Sequence, residues 1–134
     1  MVGGLRVARI LVIDDKKLIR NLLRQALEQV GHEVIEAQNG QQGLQYYWLM
    51  PTDLVITDLE MPEKDGLAVI RALRRAFPQS KIIAISGGDQ ALLRTAETLG
   101  VQHTFQKPFG IQEFLEAVHE LVQIQDERAK IHSL

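Results

Sequence analysis

The sequence predicts an α/β fold: one doubly wound sheet of five parallel strands with helices on both faces. Three observations carry this. Short apolar runs rich in branched residues recur along the chain, helical periods lie between them, and each interval is long enough for a crossover rather than a hairpin. The runs are continuous instead of alternating, which is the pattern of strands buried on both faces. With 134 residues and 46% hydrophobic content, the chain has material for one substantial core and not for two domains.

The elements follow in order. Ile10, Leu11, Val12 and Ile13 make the first strand, after a short amino-terminal tail. Leu18, Ile19, Leu22, Leu23, Ala26, Leu27 and Val30 then form one apolar stripe at three- and four-residue spacing, and Gly31 stands where a C-terminal cap belongs. Val34 and Ile35 mark the second strand, and Asn39 caps a helix over residues 41–48. The third strand is Leu54, Val55, Ile56 and Thr57, followed by a helix over 67–77 that Pro78 stops. Residues 82–86 make the fourth strand, and a helix over 90–99 ends at Gly100. A fifth strand at 103–106 rests on its place in the series, and the last helix covers 111–124. Residues 126–134 read as a tail, although Ile131 could prolong that helix.

Charge and composition exclude several classes. Fifteen Lys plus Arg against seventeen Asp plus Glu leave a formal net charge of -2, so no overall basic field recruits nucleic acid or an anionic membrane. The absence of cysteine removes disulfides, thiolate metal sites and thiol nucleophiles, and is consistent with a reducing compartment. No signal-peptide core precedes the first strand, and no apolar run approaches membrane-spanning length. The expectation is a soluble, cytoplasmic, single-domain protein.

In open parallel sheets the ligand site lies beyond the carboxyl ends of the strands. Here the first strand exits into Asp14 and Asp15, the third into Asp58, the fourth into Ser86 followed by Gly87 and Gly88, and the fifth into Lys107 and Pro108. Three carboxylates on one rim repel one another unless a cation shares the site. Mg²⁺ is the natural one, a hard ion held by one or two carboxylates and tolerant of phosphate oxygens. Lys107 adds a point charge suited to phosphate, and the Ser86 hydroxyl adds a hydrogen bond. Metal, lysine, hydroxyl and a nucleophilic carboxylate make a phosphoryl-transfer site. Taken singly, each residue has a plainer role: Asp14 or Asp15 could cap the first helix, Ser86 could sit in a turn, and Lys107 could be solvated. Asp65 is read as a cap and nothing more. The constellation is specific although its members are not.

These residues, as Val12-Ile13-Asp14-Asp15, Asp58 to Pro62 continuing to Asp65-Gly66, Ser86-Gly87 and Lys107-Pro108-Phe109, resemble the receiver domain of two-component response regulators over residues 7–125. Residues 1–6 and 126–134 would then be tails. The resemblance implies a flavodoxin-like fold with strand order 2-1-3-4-5 and Asp58 as the phosphoacceptor. It also implies Mg²⁺ on Asp14, Asp15, Asp58 and the Glu60 backbone carbonyl, Lys107 and Ser86 on the phosphoryl oxygens, and a cis Lys107–Pro108 peptide. Implied partners are a sensor histidine kinase or histidine phosphotransfer protein and a downstream protein target. The chain would be a monomer or weak homodimer, enzymatic only in its own phosphorylation and acyl-phosphate hydrolysis. One position departs from the family. An aromatic ring usually stands three residues before the lysine, where this chain has Thr104; Phe105 lies one residue later, on the other face of an extended strand.

Two alternatives stay open: a degenerate receiver that binds partners without phosphorylation and, less favoured, a haloacid-dehalogenase-like phosphohydrolase, where Glu60 stands in place of the usual second Asp and the small chain leaves no room for the usual cap. Outside the rim, Tyr46, Tyr47 and Trp48 are expected to be partly packed on the sheet, Arg71, Arg74 and Arg75 to form a solvated face, and the four histidines to bind no metal. Lys16 and Lys17 are expected to be solvated, with a sharper possibility that one of them offsets the acids and weakens Mg²⁺ binding.

Overall fold

A computed structural model describes residues 7–62 and 66–133, with side chains of the last helix described to Gln123. Asp65 lies outside the described residues. The elements are β1 (Arg9–Ile13), α1 (Lys17–Gln29), β2 (Glu33–Ala37), α2 (Gly40–Leu49), β3 (Leu54–Asp58), α3 (Gly66–Ala76), β4 (Ile82–Ser86), α4 (Gln90–Thr98), β5 (His103–Gln106) and α5 (Ile111–Ser133). The strands form one sheet in the order β2-β1-β3-β4-β5, every pair parallel.

Successive side chains of a strand point to opposite faces, so each continuous apolar run feeds two cores. Leu11, Ile13, Val55, Ile82 and Ala84 meet Tyr47 of α2, Val69, Ile70 and Leu73 of α3, and Leu93 and Ala96 of α4. Ile10, Val12, Leu54, Ile56, Ile83 and Ile85 meet Leu23 and Leu27 of α1 and Phe114, Val118 and Leu121 of α5. Every residue of β3 and β4 is buried. Each Leu or Ile so enclosed contributes about 1.5–3 kcal/mol by burial, and together they hold the strand ends in fixed register.

Helix ends follow the local chemistry. Gly31 and Gly100 adopt φ of 95° and 89°, where an L side chain would be strained, and end α1 and α4. The Asn39 side chain caps α2 by accepting from Gln42 N at 2.8 Å. Asp89, not anticipated, caps α4 by accepting from Ala91 N and Leu92 N. The backbone of α5 continues beyond residue 124 to Ser133, through the stretch expected as a tail; no glycine or proline interrupts residues 111–133.

The arginine face needs correction. Arg71 and Arg75 are exposed, but Arg74 folds over the amino ends of β4 and β5 and donates to the carbonyls of Ser80, Leu99 and Gly100. Periodicity places a residue on a face of its helix but does not say which loops fold over that face. Tyr47 is buried and meets Phe77 edge-on, whereas Trp48 touches the same ring and remains largely exposed. His32 accepts from Ala8 N through Nδ1, and no histidine joins a metal-like cluster among the described residues.

Candidate functional site

The carboxyl ends of β1 and β3 bring Asp14 and Asp58 together in the interior, each 1% exposed, with Asp15 exposed beside them. One carboxylate oxygen from each of the three lies within 4.8 Å of the others. Local backbone orients them: Asp14 Oδ1 accepts from Lys16 N at 2.8 Å, and Asp58 Oδ1 accepts from Glu60 N at 3.3 Å. Asp58 Oδ2 is buried with no hydrogen-bond donor. Facing it, at 3.8 Å each, are the ammonium groups of Lys107 and Lys16, and Lys107 Nζ is also 3.7 Å from Asp14 Oδ2.

Burial raises the Asp58 carboxyl above its ordinary range and the Asp14 charge raises it further, while Lys107, the Glu60 N–H and Lys16 pull the other way. Asp14 is likewise raised, chiefly by burial, against the Lys16 N–H, Lys107 and Lys16. Two buried acids that resist ionisation and one orphaned oxygen are the donor set a hard divalent cation completes. Asp14, Asp15 and Asp58 therefore fit Mg²⁺.

Ser86, fully buried at the end of β4, donates from Oγ to Glu60 Oε1 at 2.8 Å, and Gly87 N donates to the same oxygen. These two donors, Gly87 first, hold the Glu60 carboxyl below its usual range. The sequence offered the Glu60 carbonyl as a metal ligand and its side chain only for the phosphohydrolase alternative; its contact with Ser86 and Gly87 joins distant segments and has no local signal. Lys107 N donates to Ser86 O at 2.8 Å, tying the lysine to the end of β4, and the Lys107–Pro108 peptide is cis. Gly66 opens α3 against the end of β3. A Cβ there would lie 2.6 Å from Leu59 Cα and 2.9 Å from the Asp58 carbonyl carbon, so only glycine lets the helix approach so closely.

Lys16 and Lys17 part company. Both are exposed, as expected, but Lys16 also turns toward Asp15 and Asp58, the sharper of the two possibilities for this pair. The attraction of three carboxylates outweighs the freedom of one long side chain. At β5 the register with β4 is unbroken, Thr104 opposite Ala84 and Phe105 opposite Ile85, so no bulge moves the ring to the Thr104 face. Phe105 instead stacks against Phe109 and Phe114 on the α5 side.

A family model described as the response regulator receiver domain matches residues 10–119, a span that holds every residue named at this rim. The chain belongs to the receiver family. It is 34% identical over 114 residues to the chemotaxis protein CheY of Bacillus subtilis (strain 168), covering 84% of this chain and 95% of that one. With sporulation initiation phosphotransferase F of the same organism it shares 28% identity over 117 residues, covering 87% and 94%. Among solved structures, a receiver domain protein from Clostridium thermocellum superimposes with a TM-score of 0.84 at 29% identity, covering 90% of this chain and 98% of that one. The strand order 2-1-3-4-5 is the receiver's. A signalling receiver is thereby favoured over a phosphohydrolase or a degenerate binding module.

Proposed function

We propose that Asp58 accepts a phosphoryl group from a phosphohistidine on a sensor histidine kinase or histidine phosphotransfer protein, in a Mg²⁺-dependent step that switches binding of a downstream protein. The observation that carries this is Asp58 Oδ2, a buried carboxylate oxygen without a donor, faced by two ammonium groups on a rim of three acids. An Asp58 oxygen forms the new O–P bond as the donor's N–P bond breaks, and the leaving imidazole nitrogen keeps the electron pair. Mg²⁺, held by Asp14, Asp15, Asp58 and the Glu60 carbonyl, would neutralise charge on the transferred group. Lys107, already within 4 Å of Asp58, supplies a second cation to the phosphoryl oxygens.

Ser86 Oγ and Gly87 N are the donors closest in role to an oxyanion cradle, and both are engaged by Glu60. Binding a phosphoryl oxygen there requires Glu60 to swing out, which couples phosphorylation to the β4–α4 loop. Output through the α4, β5 and α5 surface would then proceed without an aromatic ring at Thr104, and through that surface a weak homodimer could form. Self-catalysed phosphorylation and acyl-phosphate hydrolysis are the catalysis this site provides, in the cytoplasm, where such kinases present their phosphohistidine.

Incubation with Mg²⁺ and acetyl phosphate, followed by intact mass spectrometry, tests this directly. The expected result is a gain of one phosphoryl group that is absent in Asp58→Asn. No gain at any Mg²⁺ concentration overturns the proposal and returns the degenerate receiver.

A further inference from the structure

Lys16 stands immediately before α1, and its ammonium, though still in contact with water, reaches back over the acid rim. Nζ lies 3.6 Å from Asp15 Oδ1 and 3.8 Å from Asp58 Oδ2. Lys107 covers the other half of the cluster, 3.7 Å from Asp14 Oδ2 and 3.8 Å from Asp58 Oδ2. Two ammonium groups thus divide three carboxylates between them. None of these distances is that of a direct hydrogen bond, so Asp58 Oδ2 is left without a donor although its charge is countered from both sides.

The two lysines differ in how firmly they are held. The Lys107 side chain is 22% exposed, and the backbone N–H of that residue is bonded to the Ser86 carbonyl. The Lys16 side chain is 56% exposed and ends a flexible stem, so it can leave the pocket without disturbing the fold. Its backbone N–H, which orients Asp14, stays in place when the side chain moves. A cation at this position also opposes the α1 dipole, and α1 carries no acid in its first turn to compensate. The acid cluster is what draws Lys16 in.

The geometry points to Lys16 as a tethered cation standing over Asp15 and Asp58, which Mg²⁺ has to displace, so that this chain binds the metal more weakly than its carboxylates alone would. The inference rests on the reading of these acids as the Mg²⁺ site. It assigns Lys16 a role in setting the metal concentration at which the acceptor becomes competent. In the metal-free chain, the same side chain limits repulsion among the three acids.

Isothermal titration of MgCl₂ into the unphosphorylated chain at low ionic strength tests the assignment. Lys16→Gln and Lys16→Met should each tighten the Mg²⁺ dissociation constant about three- to tenfold, the scale set by two partly exposed ion pairs. Lys17→Gln, which changes net charge equally, should leave it within about twofold, because the effect of Lys16 comes from contact and not from the general field. Equal dissociation constants for the wild type and both Lys16 variants overturn the inference, as does equal tightening by Lys17→Gln. If the wild type binds Mg²⁺ and the Lys16 variants bind it no better, only the Lys16 role falls. If no form binds Mg²⁺, the metal-site reading falls with it.

Discussion

Arg74 and Asp58 are both charged, both packed at an end of the sheet, and the fold treats them in opposite ways. At the amino ends of β4 and β5, the Arg74 guanidinium donates to Ser80 O at 2.6 Å, Ser80 Oγ at 2.9 Å, Gly100 O at 2.6 Å and Leu99 O at 3.1 Å. Burial lowers its pKa, yet its planar set of donors is filled. At the carboxyl end of β3, Asp58 is more deeply buried and has one oxygen with no donor at all. A buried charge whose bonds are complete holds loops together. One left short of partners is costly to the fold and marks a place kept for a ligand or reaction.

That contrast can be broken by mutation, and the largest effect belongs to Arg74. Arg74→Ala strands three carbonyls and a buried serine, and should cost about 2–3 kcal/mol in urea denaturation while leaving Asp58 phosphorylation intact. A loss below about 0.5 kcal/mol would show that the clamp is ornamental and the contrast false.

The opposite sign is expected at the other end. Because burial raises the Asp58 and Asp14 carboxyls, the folded chain binds their protons more tightly than the unfolded chain does. Their contribution favours folding at low pH and is lost as pH rises through the raised folded values. Asp58→Asn should therefore stabilise the metal-free protein at pH 7, by about 1 kcal/mol or a few degrees in melting temperature. The gain should shrink toward nothing as pH falls to the ordinary aspartate value of 3.8, where the wild-type carboxyl is itself protonated. Calorimetric melts of both proteins from pH 7 to pH 4 check it, and a destabilised Asp58→Asn would sink the claim that this charge is held at a cost.

Magnesium sharpens the same comparison. At concentrations well above its dissociation constant it should raise the wild-type melting temperature by mass action and leave Asp14→Asn Asp58→Asn nearly unmoved. The smallest effect concerns Glu60. Its carboxyl is lowered by Gly87 and Ser86, so its contribution is present above the ordinary value of 4.5 and disappears as pH falls through the lower folded value. Since the group is largely solvated, Glu60→Gln should cost only a few tenths of a kcal/mol at pH 7. Its clearer readout is a shift in the Ser86 and Gly87 amide resonances.

Much of the fold was legible along the chain, because strand and helix periods are properties of contiguous residues. The runs at Ile10, Leu54 and Ile82, the first helix and the stops at Gly31, Pro78 and Gly100 reappear as elements or their ends, although Leu18, Leu22 and Val30 of that helix's stripe are exposed. Strand order was not legible from the periods and came from resemblance alone. The rim residues could be named because a parallel sheet with right-handed crossovers brings its strand exits to one edge. Lys16 was expected in solvent, with contact to the acid cluster as the sharper alternative, since the direction of a long flexible side chain is a balance of small terms.

By itself, then, the sequence determined that the elements alternate, that the apolar runs of the central strands are buried on both faces, and that Asp14, Asp15, Asp58, Ser86 and Lys107 stand at strand exits; these depend on neighbours in the chain. Tertiary structure alone decided that the Glu60 carboxylate takes the Ser86 hydroxyl, 26 residues away, that Arg74 closes the α4–β5 loop, and that the rings Phe105 meets are those of Phe109 and Phe114. Each is a contact between distant segments, set by distances that exist only after the sheet has closed. The same closure leaves Asp58 Oδ2 without a donor, and no pattern of residues along the chain announces a missing bond.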